Sequence, residues 1–209
     1  MTENNYSLCF DTCLDKMYVV LSKDKKILSS ETVVNHDSKY HSAFLISTIE
    51  KVLNKNNVKP ENLSLIGINT GPGSFTGIRA CTTVARVMAQ QLNIKAAGVS
   101  SLEILAKINT TNKPTLVALD ARKNMAYLLL NEEIKGAVLL DKVKEIIDNG
   151  DYFVITDDKL LPFLGGISYQ QNPYPLGEYL SQLVQEKIKT ETGDYGKLLP
   201  LYIQPPPMG

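Results

Sequence analysis

The sequence lacks an excess of charge of either sign, and it has no long hydrophobic run. Lysine and arginine together number 22, as do aspartate and glutamate, so the formal net charge at pH 7 is zero. A protein that grips a nucleic-acid backbone unaided normally carries a basic excess, which is missing here. No apolar run approaches the roughly 20 residues of a membrane helix, and no signal peptide is recognisable. We therefore predict a cytoplasmic protein without membrane contact.

Cysteine and histidine are scarce as well. The three cysteines are Cys9, Cys13 and Cys81, and they form no Cys-x-x-Cys pair. Because Cys9 and Cys81 fall at predicted core positions, we interpret them as small buried hydrophobes in a reducing compartment. The two histidines, His36 and His41, are five residues apart near a predicted helix start, so they do not share a helix face. The sequence thus predicts no metal site.

The most informative segment covers residues 71–79, which read Gly-Pro-Gly-Ser-Phe-Thr-Gly-Ile-Arg. It follows a strand-like apolar run, and Ser74 suits the N-cap of the helix that comes next. A P-loop and a dinucleotide fingerprint would both need glycine at position 76, where Thr76 stands. Pro72 likewise rules out a nucleophile elbow. We favour a tight strand-to-helix turn, with glycines that permit close backbone approach, over a phosphate cradle.

Two predicted helices are unusually apolar around their circumference. The helix from Ser74 to Leu92 carries only two charges, Arg79 and Arg86. One of its faces is an apolar stripe at three- and four-residue spacing, and the opposite face is hardly more polar. In the helix from Tyr40 to Lys55, four consecutive apolar residues at 43–46 cannot all point into one core. Such helices lie either in the middle of one domain or at a protein–protein interface.

The order of the predicted elements gives two α/β blocks. The first has strands at 6–11, 17–22, 27–34, 63–69 and 95–99, and helices at 39–55, 74–92 and 101–107. The second has strands at 115–120, 125–131, 137–140 and 152–156, and helices at 141–149 and 177–189. A polar hinge ending in proline separates the blocks. We predict an N-terminal lobe over 1–109, a smaller C-terminal lobe over 110–195, and a proline-rich tail over 196–209 that is free to return to the first lobe.

A duplicated fold of this kind normally holds a nucleotide at its first hairpin and in the cleft between its lobes. The turn after Asp11 reads Thr-Cys-Leu-Asp-Lys, without the glycine that would let the backbone approach a phosphate. The carboxylate of Asp15 would also repel a phosphate. Asp11 and Thr12 remain at the strand end, where they either cap the turn or contact a ligand.

Residues 71–79 resemble the signature of the bacterial TsaB (YeaZ) family, whose members are partners in making threonylcarbamoyladenosine beside the anticodon of tRNA. Further family pieces recur in the same order: Asp11-Thr12, His41, the run Gly-Val-Ser-Ser-Leu at 98–102, Asp120-Ala121-Arg122 with Tyr127, and Pro200-x-Tyr202. The resemblance therefore extends over nearly the whole chain. One departure is Gln204, which stands where the family usually has arginine.

The resemblance implies an α/β, two-lobed actin/Hsp70-like fold (ASKHA, ribonuclease H-like), here with a trimmed second lobe. It also implies a non-catalytic scaffold that docks through its first two helices on a catalytic paralogue, TsaD. That paralogue binds nucleotide and metal, so ATP and metal are expected there and no cofactor is expected on this chain. A TsaE-like ATPase completes the assembly, and tRNA is contacted through the complex. Without the paralogue, a homodimer on the same surface is expected.

Pattern and resemblance together give two sets of candidate residues. The predicted partner interface comprises Tyr40, Phe44, Ser74, Phe75, Gly77, Ile78, Arg79, Ala80, Val84, Arg86 and Val87. Family positions without an assigned role are Asp11, Thr12, Gly71, Gly73, Thr76, Asp120, Arg122 and Tyr127. We favour a turn brace or local ion pair for Asp120 and Arg122 over a contact to substrate or tRNA. Ala80→Glu or Ala85→Arg is expected to break the assembly without unfolding the chain.

The same resemblance argues against catalysis by this chain. The paralogue carries His-x-x-x-His one helical turn apart, and the matching places here hold Ser101 and Leu105. Leucine cannot bind a metal ion. Two other classes of function stay open at this stage. One is an independent nucleotide phosphohydrolase or kinase, and the other is a metallopeptidase, which would need a ligand cluster that the sequence does not show.

Overall fold

The computed structural model describes residues 5–34 and 41–203. Tyr40, His36 and Gln204 lie outside the described residues, as does the proline-rich end of the tail. The chain divides into two compact units: unit 1 comprises residues 1–101 and 175–201, and unit 2 comprises residues 102–174 and 202–209.

The bounds of the elements follow the sequence pattern closely. The strands are β1 Tyr6–Asp11, β2 Met17–Lys23, β3 Lys26–Val33, β4 Leu63–Asn69, β5 Lys95–Val99, β6 Thr115–Asp120, β7 Met125–Leu130, β8 Glu133–Leu139, β9 Phe153–Thr156 and β10 Ile167–Ser168. The helices are α1 Leu45–Lys55, α2 Phe75–Leu92, α3 Ser101–Ala106, α4 Leu140–Asp148, α5 Leu161–Leu164 and α6 Leu176–Lys187. Short 3-10 turns lie at His41–Phe44, Pro60–Asn62 and Tyr195–Lys197.

Unit 1 is built on a five-stranded sheet in the order β3-β2-β1-β4-β5. Strands β1, β2 and β3 form an antiparallel meander, whereas β4 and β5 run parallel to β1. Helices α1 and α2 pack on one face of this sheet in a single hydrophobic core. The core stripe predicted for α2 is confirmed, since Ile78, Cys81, Ala85 and Ala89 are all buried there.

Helix α6 covers the other face of the same sheet, although the sequence pattern assigned it to the second lobe. Its residues Leu176, Leu180 and Val184 are buried, and the hydroxyls of Ser22 and Ser181 lie 3.0 Å apart. The physical reason is that this sheet face is also apolar and needs a cover, which a segment distant in sequence provides. The division between the lobes is therefore corrected, because residues 175–201 belong to unit 1.

Unit 2 repeats the opening of unit 1 on a smaller scale. Its sheet has the order β10-β9-β6-β7-β8, with β6, β7 and β8 antiparallel and β9 parallel to β6. Helices α4 and α5 lie on a core that includes Leu116, Leu128 and Val143. Three antiparallel strands followed by a parallel strand thus occur twice, which confirms the predicted two-lobed α/β fold with a smaller second lobe.

Strand β8 begins earlier than the pattern predicted. Gly136 has φ +89°, and the β7–β8 register shifts between Leu128 and Leu129. This irregularity interrupts the alternation of apolar and polar residues on which strand prediction depends. Within residues 5–34 and 41–203, no helix combines the length and the apolar character that crossing a membrane would require.

Candidate functional site

The turn that leads into α2 is held by its own serine. Ser74 stands at the N-cap, and its hydroxyl oxygen accepts a hydrogen bond from the backbone N–H of Gly77 at 3.2 Å. The backbone N–H of Ser74 donates to the carbonyl oxygen of Cys13 at 2.8 Å. The predicted cap is confirmed, and the same residue ties the helix start to the turn between β1 and β2.

The glycines of this turn serve close contact between backbones. A Cβ atom added at Gly73 would overlap the carbonyl oxygen of Cys13, and one added at Gly77 would overlap that of Thr12. Backbone atoms cannot move aside as a flexible side chain does, so both positions need glycine. Gly71 has φ +99°, a conformation that other residues rarely adopt. The structure therefore shows the tight turn that the sequence favoured, pressed against the first hairpin.

A buried polar network joins the carboxyl ends of β1 and β4. Asp11 is 1% exposed, and its two carboxylate oxygens accept from the backbone N–H of Cys13 at 2.6 Å and from Nδ2 of Asn69 at 3.0 Å. Oδ1 of Asn69 accepts in turn from the N–H of Gly71 at 2.8 Å and from the hydroxyl of Ser101 at 2.9 Å. Asp11 thus caps the first turn, one of the two roles that the sequence left open.

Thr12 has a comparable structural role. Its hydroxyl donates to the carbonyl oxygen of Gly77 at 2.8 Å and lies 3.2 Å from Sγ of Cys81. Thr12 therefore fastens the first hairpin to the first turn of α2. Thr76, in contrast, is exposed.

The ionisable groups of this network are shifted by burial. Burial raises the pKa of Asp11 to about 6, although the donors Asn69 and Cys13 partly offset it. Burial raises the pKa of the Cys9 thiol to about 12 and that of Cys13 well above its ordinary value. The thiols are accordingly protonated at neutral pH. The prediction that Cys9 and Cys81 are buried is confirmed, and Cys13 is buried as well.

One donor set among the described residues could in principle hold a metal ion. Ligand atoms of Asp11, Cys13 and Cys81 lie within 4.8 Å of one another. However, the Cys13 thiol already donates to the carbonyl oxygen of Asn69 at 3.3 Å, and Cys81 contacts Thr12. Coordination would require the buried Cys13 thiol, whose pKa is raised, to lose its proton, and both cysteines to lose these partners. These three side chains are therefore better explained as packed core residues than as metal ligands.

The second candidate region is the outer surface of α1 and α2, on the side that faces away from the sheet. Phe44, Ile46, Phe75 and Val87 are 47%, 59%, 40% and 53% exposed, respectively. The 3-10 turn that carries Phe44 contacts α2, so these apolar side chains lie on adjoining elements. The guanidinium carbon of Arg79 lies 4.0 Å from the centroid of the Phe75 ring. We call Phe44, Ile46, Phe75, Arg79 and Val87 the outer helix surface.

The predicted interface residues divide into accessible and enclosed positions. Ala80, Val84 and Arg86 are half-buried at the flank of the outer helix surface. Gly77 and Ile78 are buried in unit 1, the former against Thr12 and the latter in the core, so neither can contact a partner while the fold is intact. Both assignments are corrected, because membership of the glycine motif does not indicate which way a helix residue faces.

The expectation for Ala85→Arg is also corrected, because Ala85 lies in the core. In addition, the predicted interface omitted the exposed residue Ile46. Ala85 is 0% exposed, so arginine at this position would disrupt the core rather than only an interface. Ile46 is the most exposed of the four apolar side chains but was not assigned to the interface. Its signal was present in the four-residue apolar run at 43–46, which cannot face one core.

In unit 2, the family positions brace a hairpin turn. Oδ1 of Asp120 accepts from the backbone N–H of Arg122 at 3.1 Å, and Oδ2 pairs with the ammonium group of Lys159. Residues 122–124 all have positive φ, which this turn requires. The turn-brace interpretation is confirmed, and the ion pair is formed with Lys159 rather than with Arg122. Burial raises the pKa of Tyr127, which lies on the adjacent strand.

Comparison with known proteins gives consistent likenesses. Residues 27–158 match the model of the TsaD family, described as tRNA N6-adenosine threonylcarbamoyltransferase. The tRNA threonylcarbamoyladenosine biosynthesis protein TsaB of Bacillus subtilis is 28% identical over 223 residues, which cover 94% of this chain and 93% of that protein. TsaB of Buchnera aphidicola from Schizaphis graminum is 28% identical over 151 residues, covering 66% of this chain and 70% of that protein. The solved structure of YeaZ from Pseudomonas aeruginosa shares the fold, with a TM-score of 0.76 at 22% identity over 94% of this chain and 100% of that one.

Proposed function

The chain belongs to the TsaB (YeaZ) branch of the TsaD family, and we propose that it is a non-catalytic subunit that docks on a TsaD-like catalytic paralogue through the outer helix surface. It takes part in the biosynthesis of threonylcarbamoyladenosine in tRNA. We further propose that this chain orients and activates the paralogue, and that the paralogue holds the nucleotide and the metal ion.

The observation that carries this proposal is the exposure of the outer helix surface. Phe44, Ile46, Phe75 and Val87 are 40–59% exposed. They lie on a 3-10 turn, α1 and α2, and the 3-10 turn contacts both helices. Adjacent exposed apolar side chains of this size are typical of surfaces that bind another protein. Helix α2 also contains no acidic residue, and its charges are Arg79 and Arg86. An apolar partner face with carboxylates at its rim would complement this surface.

The geometry of the first hairpin supports the proposal that this chain does not bind a nucleotide there. In a two-lobed fold, a phosphate would approach the backbone after β1, and here the turn of Gly73 and Gly77 packs against Cys13 and Thr12. The Asp11 carboxylate lies at the same strand end and would repel a phosphate when ionised. An independent phosphohydrolase or kinase would need this space, and calorimetric titration with ATP would detect it.

The proposed mechanism is orientation by burial of the shared surface. When α1 and α2 pack against the paralogue, the apolar side chains leave water and fix the relative position of the two chains. A rigid pair then presents one composite surface to tRNA and to a TsaE-like ATPase. Self-association through the same surface is expected where the paralogue is absent.

Substitution of one exposed residue tests the docking. Val87→Glu places a charge on the outer helix surface, and we expect it to abolish co-elution with the TsaD-like paralogue from the same genome. Leu139→Glu is the matched control, because Leu139 is 52% exposed and Val87 is 53% exposed. Both variants should unfold at nearly the wild-type temperature. Undiminished co-elution of Val87→Glu would refute docking through this surface.

A further inference from the structure

Four lysines of unit 1 lie together where the hairpin of β2 and β3 meets the end of α6. Strand β2 ends at Lys23 and β3 begins at Lys26, and these two residues are paired across the hairpin. Lys25 lies in the turn between them. A cavity of about 170 Å³ between this turn and α6 is lined by both Lys25 and Lys189. We call Lys23, Lys25, Lys26 and Lys189 the lysine surface.

The charges of the lysine surface are accessible and largely unmatched. All four side chains belong to exposed residues. Over the described part of the chain, none of them forms an ion pair with a carboxylate. Two acidic residues, Asp24 and Glu186, lie among the lysines. The surface therefore has four positive and two negative charges, whereas the whole chain is neutral.

The Lys25 side chain extends from a turn that would be more stable with glycine. Asp24 and Lys25 have φ of 47° and 70°, as a two-residue hairpin turn of this type requires. Glycine adopts such a φ without strain, and lysine does so at a cost in stability. The Lys25 side chain therefore does not stabilise the turn, and its removal need not harm the fold.

We propose that the lysine surface binds the phosphate backbone of tRNA. Lysine contacts to phosphates supply affinity and position a nucleic acid without reading its sequence. The amides of Gln182 and Gln185 line the same cavity and can donate to phosphate or 2′-hydroxyl oxygens beside the lysines. A surface with so few net charges binds RNA weakly by itself and adds to the affinity of a larger assembly.

The lining of the cavity favours RNA over an anionic membrane as the partner. Ile27 is the one apolar side chain among the described residues that line it, and the others are charged or polar. Binding of a protein to a membrane surface normally needs apolar side chains that enter the lipid, in addition to positive charge. The polar lining instead fits a phosphate and sugar backbone.

This proposal deepens the proposed function and rests on the part of it that brings the chain to tRNA. It adds that this chain contacts tRNA itself. Helices α1 and α2 pack on one face of the unit 1 sheet, and α6 packs on the other. The lysine surface shares no residue with the outer helix surface, so docking on the paralogue does not use it.

Fluorescence anisotropy of labelled tRNA tests the contact, with the chain and its TsaD-like paralogue titrated together at several salt concentrations. The test variant combines three substitutions: Lys25→Gln, Lys26→Gln and Lys189→Gln. We expect it to bind tRNA on the order of tenfold more weakly than the wild type. The slope of log affinity against log salt should also fall by roughly one unit for each lysine removed.

The matched control removes three positive charges from unit 2, by Lys113→Gln, Lys142→Gln and Lys144→Gln. These side chains are 40–68% exposed, but each lysine pairs with a carboxylate. The control therefore changes the net charge by the same amount, and we expect tRNA affinity close to that of the wild type. Equal weakening by the two triple variants would overturn the proposal, because only net charge would then matter.

Two further variants change binding in ways that loss of the fold cannot imitate. Asp24→Asn with Glu186→Gln removes the carboxylates among the lysines and should tighten tRNA binding. Lys25→Gly should raise the unfolding temperature while it weakens tRNA binding, because glycine relieves the strain of the turn. Glu132→Gly is its control, since Glu132 has φ 67° in the turn between β7 and β8. It should raise the unfolding temperature without weakening tRNA binding.

Equal affinity of the wild type and the test variant for tRNA, in the presence of the paralogue, would overturn the proposal. So would binding of the lysine surface to vesicles of phosphatidylcholine and phosphatidylserine without any effect on tRNA, since its partner would then be a membrane. Failure of the wild type to co-elute with the paralogue would instead refute the proposed docking. The same comparison of variants with the isolated chain at low salt then decides the tRNA contact.

Discussion

Asp11 is the residue whose environment departs most from that of an ordinary surface carboxylate. It is enclosed at the junction of β1, the first hairpin and Asn69, and burial raises its pKa to about 6 from an ordinary value of 3.8. The carboxyl group of Asp11 therefore binds its proton more tightly in the folded protein than in the unfolded chain. The contribution of Asp11 to the unfolding free energy is full below about pH 4, and it is lost as the pH rises through about 6.

We predict that this titration appears in the stability of the wild type and is missing from Asp11→Asn. A shift of about two pKa units corresponds to roughly 3 kcal/mol, lost mainly between about pH 4 and pH 6. Asparagine stays neutral, so the variant should lack this slope, although its amide faces that of Asn69 and costs about 1 kcal/mol at all pH values. Urea unfolding at several pH values measures both curves.

The unfolding free energies of wild type and Asp11→Asn should be compared above about pH 5, where the titration of Glu31 does not interfere. Lys55 and Lys51 lower the pKa of Glu31, so its carboxylate stabilises the fold above its ordinary pKa and loses this effect only at lower pH. Parallel slopes for wild type and Asp11→Asn between about pH 5 and pH 7 would show that Asp11 is not the titrating group.

Gly77 is a second residue at which a small substitution should strongly lower stability. A methyl group at this position would overlap the carbonyl oxygen of Thr12. We predict that Gly77→Ala lowers the unfolding free energy by roughly 3 kcal/mol, because α2 would have to move away from the first hairpin. Gly196→Ala is the control, since its nearest contact would be the Asp194 side chain at 3.0 Å. Equal midpoints for both variants in urea unfolding would argue against close backbone contact as the reason for glycine.

Helix α2 has one face in the core and another on the outer helix surface, where we propose that docking occurs. Ala85 is buried in the core of α2, and Val87 on the same helix is 53% exposed. We predict that Ala85→Arg prevents cooperative folding, because an uncompensated charge would enter a closed core, whereas Val87→Arg stays folded. Circular dichroism with thermal melting distinguishes the two. A cooperative transition for Ala85→Arg near the wild-type temperature would contradict the placement of this face.

The limits of elements were predictable where periodicity was strong. Strands β1, β4, β5 and β6 have the predicted bounds, and Ser74 caps α2 as expected. Periodicity also identified the buried stripe of α2, but Gly77 and Ile78 were assigned by their motif rather than by their face. The short elements at Leu161–Leu164 and Ile167–Ser168 are too brief for a periodic signal.

The two sheets were predictable from the sequence, but the sheet on which α6 packs was not. Two blocks that begin with similar strands indicate two α/β lobes, and the structure has two such units. Helix α6 follows the second block in sequence, yet it packs on the first sheet. Amphipathicity shows that a helix needs an apolar partner, and it does not show which sheet provides that partner.

The outer helix surface is likewise visible in the sequence only as an excess of apolar residues. The position of the sheet is needed to distinguish its exposed residues from those of the buried stripe. Ile46 and Val87 are the most exposed apolar side chains of α1 and α2. We propose that these residues act by contact with the catalytic paralogue. Reconstitution of tRNA modification with purified subunits tests this contact directly.

The measurement is mass analysis of tRNA nucleosides after incubation with the TsaD-like paralogue and the remaining components, with each variant added in turn. We predict threonylcarbamoyladenosine with the wild type and with Leu139→Glu, and none with Val87→Glu or without this chain. Full modification with Val87→Glu would contradict docking through the outer helix surface, and full modification in the absence of this chain would contradict its proposed role as an activating subunit.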